Sequence, residues 1–159
     1  MRFKLAIATA IAAAATVLAV PTAAHAAADG LACSAAGSYS KPFPTPTTFW
    51  LVGTVGTYRY WHVTIPGSPE TYSRSYVVRC SGDTIAWQAD LTVTSTSGDR
   101  CGTTSTSQYQ YVGARSHTVQ LGQFYLIYNY RYWHVKKFVT SGTFGFWVYD
   151  HSELARCLF

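Results

Sequence analysis

From 84 to 94 the chain alternates with period two. Ile85, Trp87, Ala89, Leu91 and Val93 fall on one side; Thr84, Ala86, Gln88, Asp90, Thr92 and Thr94 fall on the other. This is the mark of a strand with one buried and one wet face. Shorter runs of branched and aromatic residues predict strands at 48–54, 57–65 and 71–80. Pro66-Gly67-Ser68-Pro69 stops the second of these in a turn. Beyond a Ser/Thr-rich stretch, further strands are predicted at 109–112, 117–121, 124–128, 130–139 and 143–149, with a short helical turn at 151–155. Gly113 and Gly122 punctuate them. No segment after residue 26 sustains a helical period. Roughly eight to ten short strands with frequent turn residues predict an all-β, sandwich or barrel-like fold.

The N-terminus follows another pattern. Met1-Arg2-Phe3-Lys4 leads into an apolar stretch at 5–20 and then into Ala24-His25-Ala26. That order of charge, apolar core and small residues is a secretory signal. A signal peptide at 1–26 and a secreted β domain at 27–159 are therefore expected, with an extracellular location. Arg2 and Lys4 would leave with the signal, lowering the net charge from +5 to about +3. No later apolar run approaches the roughly 20 residues of a membrane span. The remaining basic residues are scattered, with only Lys136 and Lys137 adjacent, which does not support nucleic-acid binding.

The four cysteines, Cys33, Cys80, Cys101 and Cys157, all follow the signal. An even number in an exported chain predicts two disulfides. No C-x-x-C pair occurs, and the spacings match no zinc motif, so neither a metal nor a cofactor is expected.

The strongest signal is a repeat. Tyr58-Arg59-Tyr60-Trp61-His62-Val63 recurs letter for letter as Tyr130-Arg131-Tyr132-Trp133-His134-Val135. A cysteine precedes each copy, Cys33 and Cys101, and an Arg-Cys pair follows each, Arg79-Cys80 and Arg156-Cys157. The frame predicts two tandem, pseudo-symmetric copies. The first covers 27–93 and includes a proline-rich arm at 41–47. A Ser/Thr-rich seam follows at 94–100, and the second copy covers 101–159. Treating both copies alike favours the pairs Cys33–Cys80 and Cys101–Cys157. Each staple would add roughly 2–4 kcal/mol to a unit whose own core is marginal.

Strand alternation places Tyr58, Tyr60 and His62 on one face of the hexapeptide and Arg59, Trp61 and Val63 on the other. The second copy divides the same way: Tyr130, Tyr132 and His134 against Arg131, Trp133 and Val135. Val63 continues into Ile65, so Trp61 and Val63, with Trp133 and Val135, are the expected core. The Tyr-Tyr-His face is then expected half-exposed, where rings with polar tips can stack on sugars or anchor a protein. Two copies of one unit also keep the same residues simply because they fold alike. Cross-strand aromatic pairs stabilise a sheet by roughly 0.2–1 kcal/mol each.

No catalytic residues are expected. Asp150-His151-Ser152 has the residue types of a triad, but adjacent residues cannot orient one another as a triad does, and no G-x-S-x-G elbow precedes the serine. The scattered acids give no pair for glycoside cleavage. The expectation is a small secreted binding protein recognising extracellular or cell-wall carbohydrate through the repeated faces. The alternatives are a protein-interaction subunit docking through the proline arm or the 66–69 turn, and a small hydrolase.

Overall fold

The computed structural model describes residues 29–42, 46–65, 72–121 and 123–158. The expected signal at 1–26, the middle of the proline-rich arm and the turn at 66–69 lie outside the described residues. The described chain is mostly strand, in two sheets with two disulfides, Cys33–Cys80 and Cys101–Cys157.

The first sheet runs β1 (Tyr39–Lys41), β2 (Thr47–Val55), β3 (Tyr58–Ile65), β4 (Tyr72–Ser81) and β5 (Thr84–Leu91), each strand antiparallel to the next. Its hairpins are local. Gly56 turns β2 into β3 with φ of 56°, a backbone that a residue without Cβ adopts at little cost. The second sheet has the order β6-β9-β8-β7. Its strands are β6 (Val93–Ser95), β7 (Tyr109–Leu121), β8 (Phe124–Ser141) and β9 (Phe144–Leu158). The short β6–β9 pairing is parallel; the others are antiparallel.

Several predicted elements fuse. The strands expected at 109–112 and 117–121 are one, because a register shift between Tyr111 and Gly113 carries the ladder past the glycine. The two expected at 124–128 and 130–139 are also one, since Asn129 pairs with both Ser116 and Cys157. The helical turn expected at 151–155 is absent. Those residues extend β9 and ladder against 131–135 of β8. Their period is two: Ser152 and Leu154 face the first sheet, whereas Glu153 meets Arg100 on the far side. The clean alternation expected at 84–93 is broken as well. A register shift beside Cys80 turns Ile85 to the outer face of the first sheet, while Ala89 and Leu91 stay on the inner one. The seam expected at 94–100 is structured. It contains the end of β6 and enters a 3₁₀ turn at Gly98–Cys101.

Each sheet has an irregular segment tied over its outer face. On the first, Phe49, Trp61, Val63, Tyr76 and Val78 cluster beneath a one-turn helix, α1 (Leu31–Ser34), whose Ala32 and Cys33 are buried. The Cys33–Cys80 bond anchors α1, and Arg59 Nη1 donates to Ala35 O at 2.7 Å. On the second, the 3₁₀ turn lies against Trp133, whose Nε1 donates to Arg100 O at 2.9 Å. Cys101–Cys157 anchors that turn, and Arg131 Nη1 donates to Gly102 O at 2.9 Å.

Between the sheets, Tyr60, Val77, Tyr132 and Leu154 form a second buried cluster. The backbones themselves approach where β2 and β7 carry their register shifts. A Cβ on Gly53 would stand 2.6 Å from Val112 O, and one on Gly113 would stand 2.7 Å from Val52 O. Glycine is required at both positions by space, not by φ.

Candidate functional site

The two hexapeptides lie in β3 and β8 and divide between faces by strand alternation. Tyr60 and His62 point to the other sheet; Trp61 and Val63 point to the cluster under α1. All four are fully buried. In β8, Tyr132, Trp133, His134 and Val135 are buried too, none more than 4 % exposed. The half-exposed Tyr-Tyr-His face expected from the sequence is therefore covered in both copies of the motif. The reason is tertiary: each Tyr-Tyr-His face packs on the other. Only Tyr58 and Tyr130, at the start of each motif, remain half-buried.

The contact is polar and reciprocal. Tyr60 Oη is hydrogen-bonded to His134 Nδ1 at 2.7 Å, and Tyr132 Oη to His62 Nδ1 at 2.8 Å. A serine completes each pair: Ser152 Oγ lies 2.9 Å from Tyr60 Oη, and Ser75 Oγ lies 2.6 Å from Tyr132 Oη. Tyr58 packs edge-on to His134, and Tyr130 packs against His62, both at 5.2 Å between ring centroids. Burial disfavours charge on every member. It pulls His62 down to about 3, helped by the neighbouring His117 and Arg115. It pulls His134 down to about 4, helped by Lys136. Both imidazoles are neutral at pH 7. The Tyr60 and Tyr132 hydroxyls are pushed well above the ordinary phenol range, chiefly by the same desolvation.

A second set of rings leads from this interface to solvent. Tyr149 of β9 stacks on Tyr58 at 4.2 Å and meets Trp87 of β5 edge-on at 6.0 Å. Two residues earlier, Trp147 meets Phe138 of β8, its cross-strand partner, at 5.3 Å. Phe138 lies over the backbone of Gly145, where a Cβ would collide with the ring. Trp87, Trp147 and Phe138 are all exposed. On the other face of β8 from Phe138, Lys137 Nζ pairs with Asp150 at 3.0 Å. Hydrogen bonds from His151 and then Lys137 hold the Asp150 carboxyl below its usual range. These aromatic positions were not among the residues singled out from the sequence. Their signal was available: residues 144–149 read Phe-Gly-Phe-Trp-Val-Tyr, apolar on both alternations. Such a strand needs covering on two faces.

Asp150, His151 and Ser152 do not converge. His151 Nδ1 meets Asp150 and Nε2 meets Glu153, whereas Ser152 bonds to Tyr60 and Tyr149. Among the described residues, no three His, Cys, Asp or Glu side chains gather as metal ligands, and no helix is long and apolar enough to cross a membrane. A cleft of about 670 Å³ lies beside the 3₁₀ turn, lined by Arg100, Gly102, Gln108 and Tyr109 among others. Its guanidinium is already engaged, stacked 3.5 Å over Tyr109 and paired with Glu153 at 2.6 Å. Comparison with known proteins finds no matching family model, no matching curated protein and no matching solved structure.

Proposed function

We propose that this is a small secreted, non-catalytic binding protein that recognises extracellular carbohydrate. Its contact surface is the strip formed by Trp87, Tyr149, Trp147 and Phe138. The hexapeptide rings, first expected to bind, instead build the interface that holds the strip in place. The observation that carries this reading is the strip itself: exposed rings fixed against one another and continuous with a buried aromatic interface. Rigid rings stack on the apolar faces of sugars with little entropy to lose.

In this reading the two sheets are tandem copies of one unit, packed as a sandwich. The crossed Tyr–His pairs support it. So do the serines that complete them, each standing opposite its own motif's histidine on the neighbouring strand and five residues before that copy's second cysteine. The matched collisions at Gly53 and Gly113 add to this. The outer covers have diverged. Trp61 meets Tyr39 edge-on beneath α1, whereas Trp133 meets Tyr111 and the 3₁₀ turn.

Retention on insoluble polysaccharides tests the function. The oxidised protein should be retained on at least one polymer, and Trp87→Ala with Trp147→Ala should abolish retention without changing the far-UV spectrum. Failure to bind any extracellular polysaccharide would reject it. A second reading, a protein-interaction subunit, is favoured by the β7–β8 hairpin. Phe124, Tyr125 and Ile127 are exposed there with no neighbouring charge in 122–130. Co-purification of one secreted protein, lost on Phe124→Ser, would support that reading.

A further inference from the structure

We infer that the free edge of β9 over residues 144–149 pairs with the same edge of a second copy. In the second sheet β9 has β8 on one side and β6 on the other, but β6 reaches only Leu154 and Ala155. Along 144–149 the outward N–H and C=O groups of β9 therefore have no strand beside them among the described residues. Proteins ordinarily blunt such an edge with proline, a charge, a bulge or a cover. None interrupts Phe-Gly-Phe-Trp-Val-Tyr. The register shift comes only beyond it, opposite Val135 and Lys136.

Both faces of the segment are apolar. Phe144, Phe146 and Val148 alternate with Trp147 and Tyr149. Phe144 is 76 % exposed, Phe146 50 % and Trp147 44 %. A partner that lay on one face would leave the other wet. A strand added at the edge shields the margins of both.

The occupant is a second copy because the edge is complementary to itself. An antiparallel pair with its twofold at Phe146 sets Phe146 against its counterpart, Phe144 against Val148, and Gly145 against Trp147. Period-two alternation keeps the faces matched, and no charge falls within the ribbon. Of the two cations across β8, Lys137 opposite Val148 is paired with Asp150, and Lys136 stands opposite Tyr149 at the end of the segment. With roughly 200 Å² per fully exposed aromatic ring, the exposed parts of Phe144, Phe146 and Trp147 come to about 700 Å² over both copies before the strand edge is added. That is small for a specific interface, so the dimer is expected at micromolar concentration. The pairing stands whether or not the strip binds carbohydrate.

Sedimentation equilibrium of the oxidised protein tests it. Wild type should pass from monomer to twice that mass across the micromolar range. Phe146→Lys places two cations together at the twofold and should stay monomeric, with its far-UV spectrum and both disulfides intact. Thr118→Lys, on the edge strand at the opposite margin of the sheet, should dimerise as wild type does. A monomeric wild type, a dimeric Phe146→Lys, or a monomer that instead pellets with lipid vesicles would each overturn the proposal. Should Phe146→Lys fail to fold, hydrogen exchange of the wild type decides. Protection of the 144–149 amides must rise with concentration, and its independence of concentration would reject the pairing.

Discussion

Tyr60 and His134 are hydrogen-bonded at 2.7 Å across the interface between the two sheets, 74 residues apart in sequence. The mirror pair, Tyr132 with His62, closes at 2.8 Å. Both pairs are desolvated, so this interface depends on buried polar groups whose partners come from the opposite sheet.

Acid should loosen that interface. An unfolded histidine titrates near 6.5, whereas His62 and His134 are held down to about 3 and about 4 in the fold. The unfolded chain therefore binds more protons between those values. The stabilising contribution is complete above about pH 6.5 and is lost as pH falls toward the folded values. The loss approaches about 1.4 kcal/mol per pH unit for each histidine. Denaturant unfolding at pH 7 and pH 5 measures it, and equal midpoints would refute the assignment of two buried neutral imidazoles.

Removing one hydroxyl from the network should cost more than an average hydrogen bond. Tyr60→Phe removes the partner of His134 Nδ1 while Ser152 keeps Tyr149, and Tyr132→Phe leaves His62 Nδ1 only the 3.5 Å contact with Ser75. Leaving buried polar groups unpaired costs about 1–3 kcal/mol. The two variants should fall within that range of each other by urea denaturation. A neutral effect at one site and a large one at the other would argue against equivalent roles.

The close approach of β2 and β7 predicts that Gly53→Ala and Gly113→Ala both destabilise. The added methyl meets a backbone carbonyl at 2.6 or 2.7 Å, and backbone cannot swing aside as a side chain can. Overpacking of this kind costs about 1–3 kcal/mol. Gly37→Ala, with open space around its Cβ position, serves as the control. Thermal melts that rank the three alike would refute the steric account.

Each disulfide should report on one tryptophan. Replacing Cys101 and Cys157 by Ser frees the 3₁₀ turn from Trp133, removing the cover that accepts its Nε1 hydrogen. The expected outcome is a loss of about 2–4 kcal/mol with red-shifted indole emission. The shift should disappear in a Trp133→Phe background and persist in a Trp61→Phe background.

Much of this was legible in the residues. Branched and aromatic runs announced strands, and the spacing of Cys33, Cys80, Cys101 and Cys157 about the two hexapeptides pointed to the pairs the structure contains. Alternation correctly separated Tyr60 and His62 from Trp61 and Val63. The environment of each side was not legible. Periodicity states that two faces differ, not what lies against them. A strand between a strap and a second sheet buries both faces, and the six letters Tyr-Arg-Tyr-Trp-His-Val read the same in either setting.

By itself, then, the sequence determined the strand-forming character of the chain, the alternation within the two hexapeptides and the doubled motif, because these depend on local backbone preference and on near neighbours. Tertiary structure alone decided that the two Tyr-Tyr-His faces cover one another, that 151–155 extends a strand, and that the exposed rings stand at Trp87, Phe138 and Trp147. Those outcomes depend on which surface arrives to displace water, and a partner strand folded back from elsewhere in the chain leaves no mark in the residues nearby.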